Sequence, residues 1–331
     1  MTKLLLDEHV IQAVRRFNGL LARMPRFKIR NRFTPRLIQS LLRMSQLGAD
    51  RKLARANVRV EQHIAKDGGL SVPVRVLRPA GAACGVVLDL HGGGWVIGNP
   101  QMNDALNAAL VADCQVTVVS VDYRLVPRFP LQAAMDDCLA AARWLLAGGP
   151  GDVDGLPVFF VGESAGAHLA GTVLLRLKDQ PQCLERVAGA VLYYGVYDLA
   201  GTPKVHAADA TTLVLDGPGM AEALRMLTPG FSDAERRAAP HSPLYGDLAG
   251  MPPALMYGGE RDPLLDDTTS MAQRWRAVAD VELHVLPEAP HGFLHFPTPL
   301  GRVVQLHTHA WIRQRISVVH NDRRAGVTAA L

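Results

Sequence analysis

Apolar positions change period along the chain. From Leu6 they fall at Val10, Val14, Phe17, Leu20 or Leu21 and Met24, a spacing of three and four that predicts one amphipathic helix ended by Pro25. Thr34 and Pro35 read as an N-cap and a first helical residue, with a second helix running to about Leu47, before Gly48. The period then becomes two. Residues 57–64 and 72–78 alternate around Lys66-Asp67-Gly68-Gly69 in the manner of a hairpin. Beyond them, short apolar runs at 85–90, 115–121 and 159–161 predict buried strands, and further strands are predicted at 188–194, 254–258 and 281–286. Helical patterns stand between and after them at 101–113, 131–147, 165–178, 268–279 and 300–318. That alternation predicts an α/β protein with a mainly parallel central sheet and helices on both faces.

Two stretches depart from this rhythm. Residues 199–250 read as helical pieces and loops, an insertion above the sheet that serves as a second part of a helical cap. Residues 1–56 carry helices whose apolar stripe needs a cover, so they read as an N-terminal cap segment docked on the body at 57–318. Residues 319–331 read as a frayed tail.

Composition fits a large soluble domain: 331 residues, 48% apolar and 20% charged. No apolar stretch approaches the eighteen or so residues of a membrane span, so no integral membrane association is expected. The N-terminus breaks into Asp7 and Glu8 after three leucines and has no leader pattern. Cys84, Cys114, Cys138 and Cys183 lack CxxC spacing and lie in apolar surroundings, which predicts reduced thiols and a cytoplasmic protein. Charge is uneven. Residues 1–60 carry a net +11 within a total of +4. The arginines interleave with the helical stripe and no aromatic platform accompanies them, so a solvated helix face is expected and nucleic-acid binding is not. Contact of these basic helices with an acidic membrane surface is the second reading.

The chemistry gathers on loops that follow the predicted strands. Phe159-Phe160-Val161 runs into Gly162-Glu163-Ser164-Ala165-Gly166, and small helix-forming residues follow at once. This is the pattern of a nucleophile elbow, in which residues two before and two after the serine approach so closely that side chains at Gly162 and Gly166 would collide. A serine needs a base, and the base an orienting acid. Asp262 follows the strand at 254–258 and His291 follows the strand at 281–286, giving the chain order Ser, Asp, His. Glu260, Asp266 and Asp267 are alternative acids, although Asp262 stands nearest the expected turn. His295 and His168 are alternative bases, each with a packing role as the simpler account. Neither His291 with His295 nor His307 with His309 has an evident third ligand, so no metal is expected.

An earlier loop, His91-Gly92-Gly93-Gly94-Trp95, follows the strand at 85–90. Consecutive glycines let backbone N–H groups come close to a substrate and face a developing oxyanion. No Gly-Lys-Ser/Thr follows it and the dinucleotide glycine spacing is absent, so no nucleotide or other cofactor is expected.

His91-Gly-Gly-Gly-Trp95, Asp122-Tyr-Arg-Leu125 and Gly162-Glu-Ser-Ala-Gly166 together resemble the hormone-sensitive-lipase-like family of α/β-hydrolase esterases. The resemblance spans about residues 57–318. It implies the α/β-hydrolase fold, a triad of Ser164, Asp262 and His291, and an oxyanion hole from the N–H groups of Gly93, Gly94 and Ala165. Glu163 stands where that family often has Asp, Ala167 where it often has Gly, and Arg128 where an acidic residue commonly follows the proline. The implied reaction is hydrolysis of small carboxylic esters, with short to medium acyl chains, through an acyl-enzyme. A deacetylase, amidase or acyltransferase would use the same residues. A binding relative that has lost catalysis is the alternative outside enzymes. A homodimer is compatible with an exposed sheet edge.

Overall fold

The computed structural model describes residues 4–28 and 34–329. Residues 1–3, residues 29–33 between the first two helices and residues 330–331, the end of the expected tail, lie outside the described residues. Three helices open the chain: α1 (Glu8–Leu21), α2 (Thr34–Ser45) and α3 (Ala49–Arg55). Thr34 is already helical rather than a cap, and α3 is a short helix that the periodicity does not reveal. Strands β1 (Arg59–Asp67) and β2 (Leu70–Arg78) then form the expected hairpin. Its two-residue turn, Gly68-Gly69, holds φ at +52° and +83°, the mirror-image turn that matches strand twist.

The body continues as β3 (Gly85–Leu90), α4 (Asp104–Cys114), β4 (Val116–Val121), α5 (Leu131–Leu146), β5 (Val158–Glu163), α6 (Ala165–Leu177), α7 (Pro181–Leu184) and β6 (Val187–Tyr193). It closes with α8 (Pro203–His206), α9 (Met220–Leu227), α10 (Asp233–Arg237), β7 (Ala254–Gly259), α11 (Leu265–Arg276), β8 (Val281–Leu286) and α12 (Pro299–Ala329). Helix α11 starts at Leu265, three residues before the expected position. The Asp262 side chain accepts a hydrogen bond from the Leu264 N–H and turns the chain directly into the helix. Helix α12 runs on to Ala329, past the boundary at 318 where the sequence suggests a tail.

The strands form an eight-stranded sheet in the order β1-β2-β4-β3-β5-β6-β7-β8, antiparallel where β2 meets β1 and β4 and parallel from β4 onward. Both faces are covered, which explains why the central strands read as continuous apolar runs. Val86, Leu88, Phe160, Leu192 and Met256 point to one core, shared with α5, α6 and α11. Their neighbours Val87, Phe159, Val191 and Leu255 point to the other, shared with α1, α4 and α12.

The inserted stretch carries α8, α9 and α10. It is tied to the N-terminal segment by a backbone bridge between Phe27 and Leu215, with the Phe27 N–H donating to the Val214 carbonyl at 2.7 Å. Helix α1 is fixed to the body from the other side. Asn18 donates to the Glu288 carbonyl at 2.8 Å, and Phe17 lies 5.3 Å from Phe296. The result is a floor of strand ends with two non-consecutive segments above it.

Candidate active site

Strand β5 delivers Ser164 between its last residue and the first turn of α6. Ser164 holds φ +51° and ψ −118°, a conformation that L-residues avoid and that persists only when its surroundings enforce it. Enforcement comes from close backbone contact. A Cβ on Gly162 would lie 2.5 Å from the Gly166 carbonyl oxygen, and one on Gly166 would lie 1.8 Å from that of Leu90. The turn is therefore wedged between its own helix and the end of β3.

Three side chains meet at this turn. His291 Nε2 is 2.9 Å from Ser164 Oγ, and His291 Nδ1 is 2.8 Å from Asp262 Oδ2. Asp262 is fully buried and its other oxygen accepts from the Leu264 N–H at 2.9 Å. The acids that compete with it in sequence have other partners. Glu260 accepts from the Glu288 N–H, Asp266 from the Lys204 N–H, and Asp267 from the N–H groups of Tyr197 and Asp198 and the Thr202 hydroxyl. Burial pushes the Asp267 carboxyl up to about 7.

The glycine loop meets the same cavity. Gly92, Gly93 and Gly94 line it together with Ser164 and His291, while Ala165 opens α6, whose first-turn N–H groups have no partner within the helix. Gly93 sits at φ +106°, and a Cβ there would meet the Ile97 carbonyl oxygen at 2.1 Å. His91 supports this loop from below. Its ring stacks on Tyr123 at 4.2 Å, Nδ1 lies 2.8 Å from the Gly92 carbonyl, and the Tyr123 hydroxyl donates to the His91 carbonyl at 2.7 Å. Burial pulls the His91 imidazole down to about 4, so it is neutral near pH 7. Trp95 is buried edge-on against His168, whose Nε2–H donates to the His241 carbonyl at 2.7 Å. His168 therefore braces the structure and does not approach Ser164 Oγ as a base.

Sequence reasoning leaves Glu163 without a partner; the structure supplies three. Glu163 Oε2 lies 2.6 Å from His295 Nε2 and accepts from the Tyr194 hydroxyl at 2.7 Å, while Oε1 takes a longer bond from the Gly92 N–H at 3.4 Å. Burial opposes the Glu163 charge, but the His295 charge and these donors outweigh it and hold the carboxyl at about 2. The Glu163 charge in turn raises the His295 imidazole above its ordinary value. His295 is thus not a rival base but the counter-charge of the residue preceding the serine. The available signal was adjacency: Glu163 neighbours Ser164, and His295 follows His291 by four residues. The two histidine pairs weighed for metal in the sequence also separate, since His295 goes to Glu163, His307 to Glu282 and His309 to Asp113.

Above the serine lies a cavity of about 560 Å³. Its apolar walls come from the inserted segment, chiefly Leu215, Met220, Leu224 and Leu227, and from Phe27 and Met102. Such a volume suits a small molecule. Among the described residues no helix is long and apolar enough to cross a membrane.

A serine, an imidazole and a carboxylate in series beside a glycine loop, on this sheet, define an α/β hydrolase. Comparison with known proteins agrees. The alpha/beta hydrolase fold family matches residues 87–295. The chain is 32% identical over 250 residues to the carboxylesterase NlhH of Mycobacterium tuberculosis, covering 71% of this chain and 75% of that protein. The esterase LipW from Mycobacterium marinum superposes with a TM-score of 0.78 at 27% identity, covering 94% of this chain and 99% of that one. A hormone-sensitive lipase from a metagenome library gives 0.72 at 27% identity, covering 92% and 98%. The chain belongs to the α/β-hydrolase family, among the esterases related to hormone-sensitive lipase, and is a carboxylesterase-type hydrolase.

Proposed function

We propose that the chain hydrolyses carboxylic esters of short to medium acyl length, with Ser164 as nucleophile, His291 as base and then acid, and Asp262 as the orienting group. The observation that carries this reading is the unbroken relay from Asp262 Oδ2 through His291 to Ser164 Oγ, with spacings of 2.8 and 2.9 Å. The Ser164 hydroxyl donates to His291 Nε2, and the His291 Nδ1–H donates to Asp262. As Ser164 Oγ attacks the ester carbonyl carbon, its proton passes to Nε2 and the imidazolium is held against the Asp262 carboxylate. Negative charge on the carbonyl oxygen is met by the N–H groups of Gly93, Gly94 and Ala165. Collapse of the adduct expels the alcohol, which takes the proton from Nε2. Water then attacks the acyl-serine by the same route, releasing the acid and restoring Ser164.

Two features support the acyl-length assignment. The cavity is small-molecule sized, and its walls are apolar where an acyl chain would lie while the glycine loop is polar. By this reading residues 1–56 and 199–250 act together as a cap, joined through Phe27 and Leu215. A series of p-nitrophenyl esters from acetate to palmitate tests the proposal. Maximal kcat/KM is expected between butanoate and octanoate; a maximum at palmitate would contradict it.

A further inference from the structure

Away from the cavity, at the outer edge of the sheet, three metal-ligating side chains converge. Glu282 and His284 are two residues apart on β8 and so share a face of that strand. His307, on α12, closes over them. His284 Nε2 lies 2.7 Å and His307 Nε2 3.2 Å from the same carboxylate oxygen of Glu282, and the three ligand atoms all lie within 4.8 Å of one another. The two imidazoles meet nearly at right angles, 84° apart, with ring centres 4.8 Å apart. We propose that Glu282, His284 and His307 bind a divalent transition-metal ion of the zinc class and clamp the edge strand to the last helix.

The donor set fits that ion. Two imidazole nitrogens and one carboxylate oxygen suit zinc, whose bonds of about 2.0–2.2 Å place tetrahedral ligands about 3.3 Å apart. The His307–Glu282 spacing of 3.2 Å is already there; His284, 2.7 Å from Glu282, must draw back from it by about half an ångström, and its nitrogen lies within 4.8 Å of that of His307. Magnesium and calcium, which take oxygen ligands, are a poor match. The three side chains are between 9% and 14% exposed, so an ion can enter and a water can fill the fourth position.

The surroundings accommodate the proton rearrangement that binding requires. Without an ion, each Nε2–H donates to Glu282. With an ion, both Nε2 atoms must present lone pairs, and each ring carries its proton on Nδ1 instead. For His307 that Nδ1 faces the Tyr257 hydroxyl at 2.7 Å, which then accepts the bond and turns its own hydrogen toward Thr308 Oγ1; Thr308, which donates to Tyr257 at 3.2 Å without an ion, then turns its hydrogen to the Tyr193 hydroxyl 2.8 Å away. Tyr257 stands opposite His284 in the β7–β8 register and stacks on its ring, so the same residue steadies both ligands.

The test uses the full chain washed with EDTA and titrated with Zn²⁺ by calorimetry and thermal melting. One ion per chain is expected to depend on this site, with a rise in Tm of about 4 °C at ~100-fold above the dissociation constant. Glu282→Gln, which preserves side-chain shape, is expected to weaken binding at least about tenfold, in the range for lost ligand-site groups. The double variant His284→Ala/His307→Ala is expected to lose that ion and the Tm response while retaining native circular dichroism. Should the double variant not fold, Co²⁺ added to wild type and to Glu282→Gln gives a second readout, with tetrahedral visible absorption expected in wild type and diminished in the variant. Absence of saturable Zn²⁺ uptake by wild type, or uptake unchanged in the substituted proteins, would overturn the proposal.

Discussion

Glu163 and His295 form an ion pair 2.6 Å long in the wall of the cavity that holds Ser164. Glu163 immediately precedes the serine, and its carboxylate also gathers the Gly92 N–H of the glycine loop and the Tyr194 hydroxyl from the end of β6. One side chain therefore ties the elbow to the glycine loop and to the loop that carries His291. We expect Glu163→Ala to cost about 2 kcal/mol of stability. That is below the ~3–5 kcal/mol for breaking a fully buried pair, because partly exposed His295 can shed its proton. Urea denaturation at pH 6 checks this; an unchanged midpoint would show that the pair contributes nothing.

The pair also predicts a pH window. Glu163 is held at about 2 against an ordinary 4.5, so its contribution is complete above pH 4.5 and fades as pH falls toward 2. His295 is raised above an ordinary 6.5, so its contribution is complete below pH 6.5 and is lost as pH rises through the raised value. The stability difference between wild type and Glu163→Gln should therefore peak between about pH 4.5 and 6.5 and shrink on both sides. Urea midpoints across the pH range measure it. A difference that keeps growing above pH 8 would contradict the assignment.

Gly93→Ala asks whether the glycine loop faces the reacting carbonyl. The added methyl meets the Ile97 carbonyl oxygen at 2.1 Å and must displace the loop. A fall in kcat of about 10²-fold or more is expected, with a much smaller change in KM. Loss confined to KM would mean that the loop only holds substrate.

Leu224→Trp probes the cavity wall. Filling it should lower kcat/KM for octanoate esters by about tenfold or more and leave acetate esters nearly unaffected. Equal losses on both would place the acyl chain elsewhere.

The sequence carried most of the body, for a physical reason. A strand buried on both faces reads as a nearly unbroken apolar run, so β3 matches its expected limits; the edge strand β8 matches its own through apolar residues alternating with Glu282 and His284, and the elbow is marked by glycines that backbone contact demands. What it did not carry depends on distant partners. Nothing local links Glu163 to a histidine 132 positions later, or brings His307 of α12 beside His284 of β8. Helix α3 is too short for its period to register, and α12 extends through a polar stretch where periodicity fades. The strand order, with β4 between β2 and β3, follows from packing and leaves no mark in local pattern.

Asp262→Asn separates orientation from simple proximity. The amide keeps the shape of the carboxylate but favours the wrong imidazole tautomer, and a loss in kcat of about 10⁴-fold is expected. A loss of less than about tenfold would shift the acid role to a neighbouring carboxylate.

The central claim is that Ser164 is the nucleophile, and pre-steady-state and steady-state hydrolysis of excess p-nitrophenyl butanoate by wild type and Ser164→Ala addresses it most directly. Wild type is expected to give a burst of p-nitrophenol with a butanoyl group recovered on the peptide containing Ser164. Ser164→Ala is expected to fold normally, show no burst and lose on the order of 10⁶ in turnover. A folded Ser164→Ala protein that keeps wild-type turnover, or a butanoyl group found on another residue, would contradict the account.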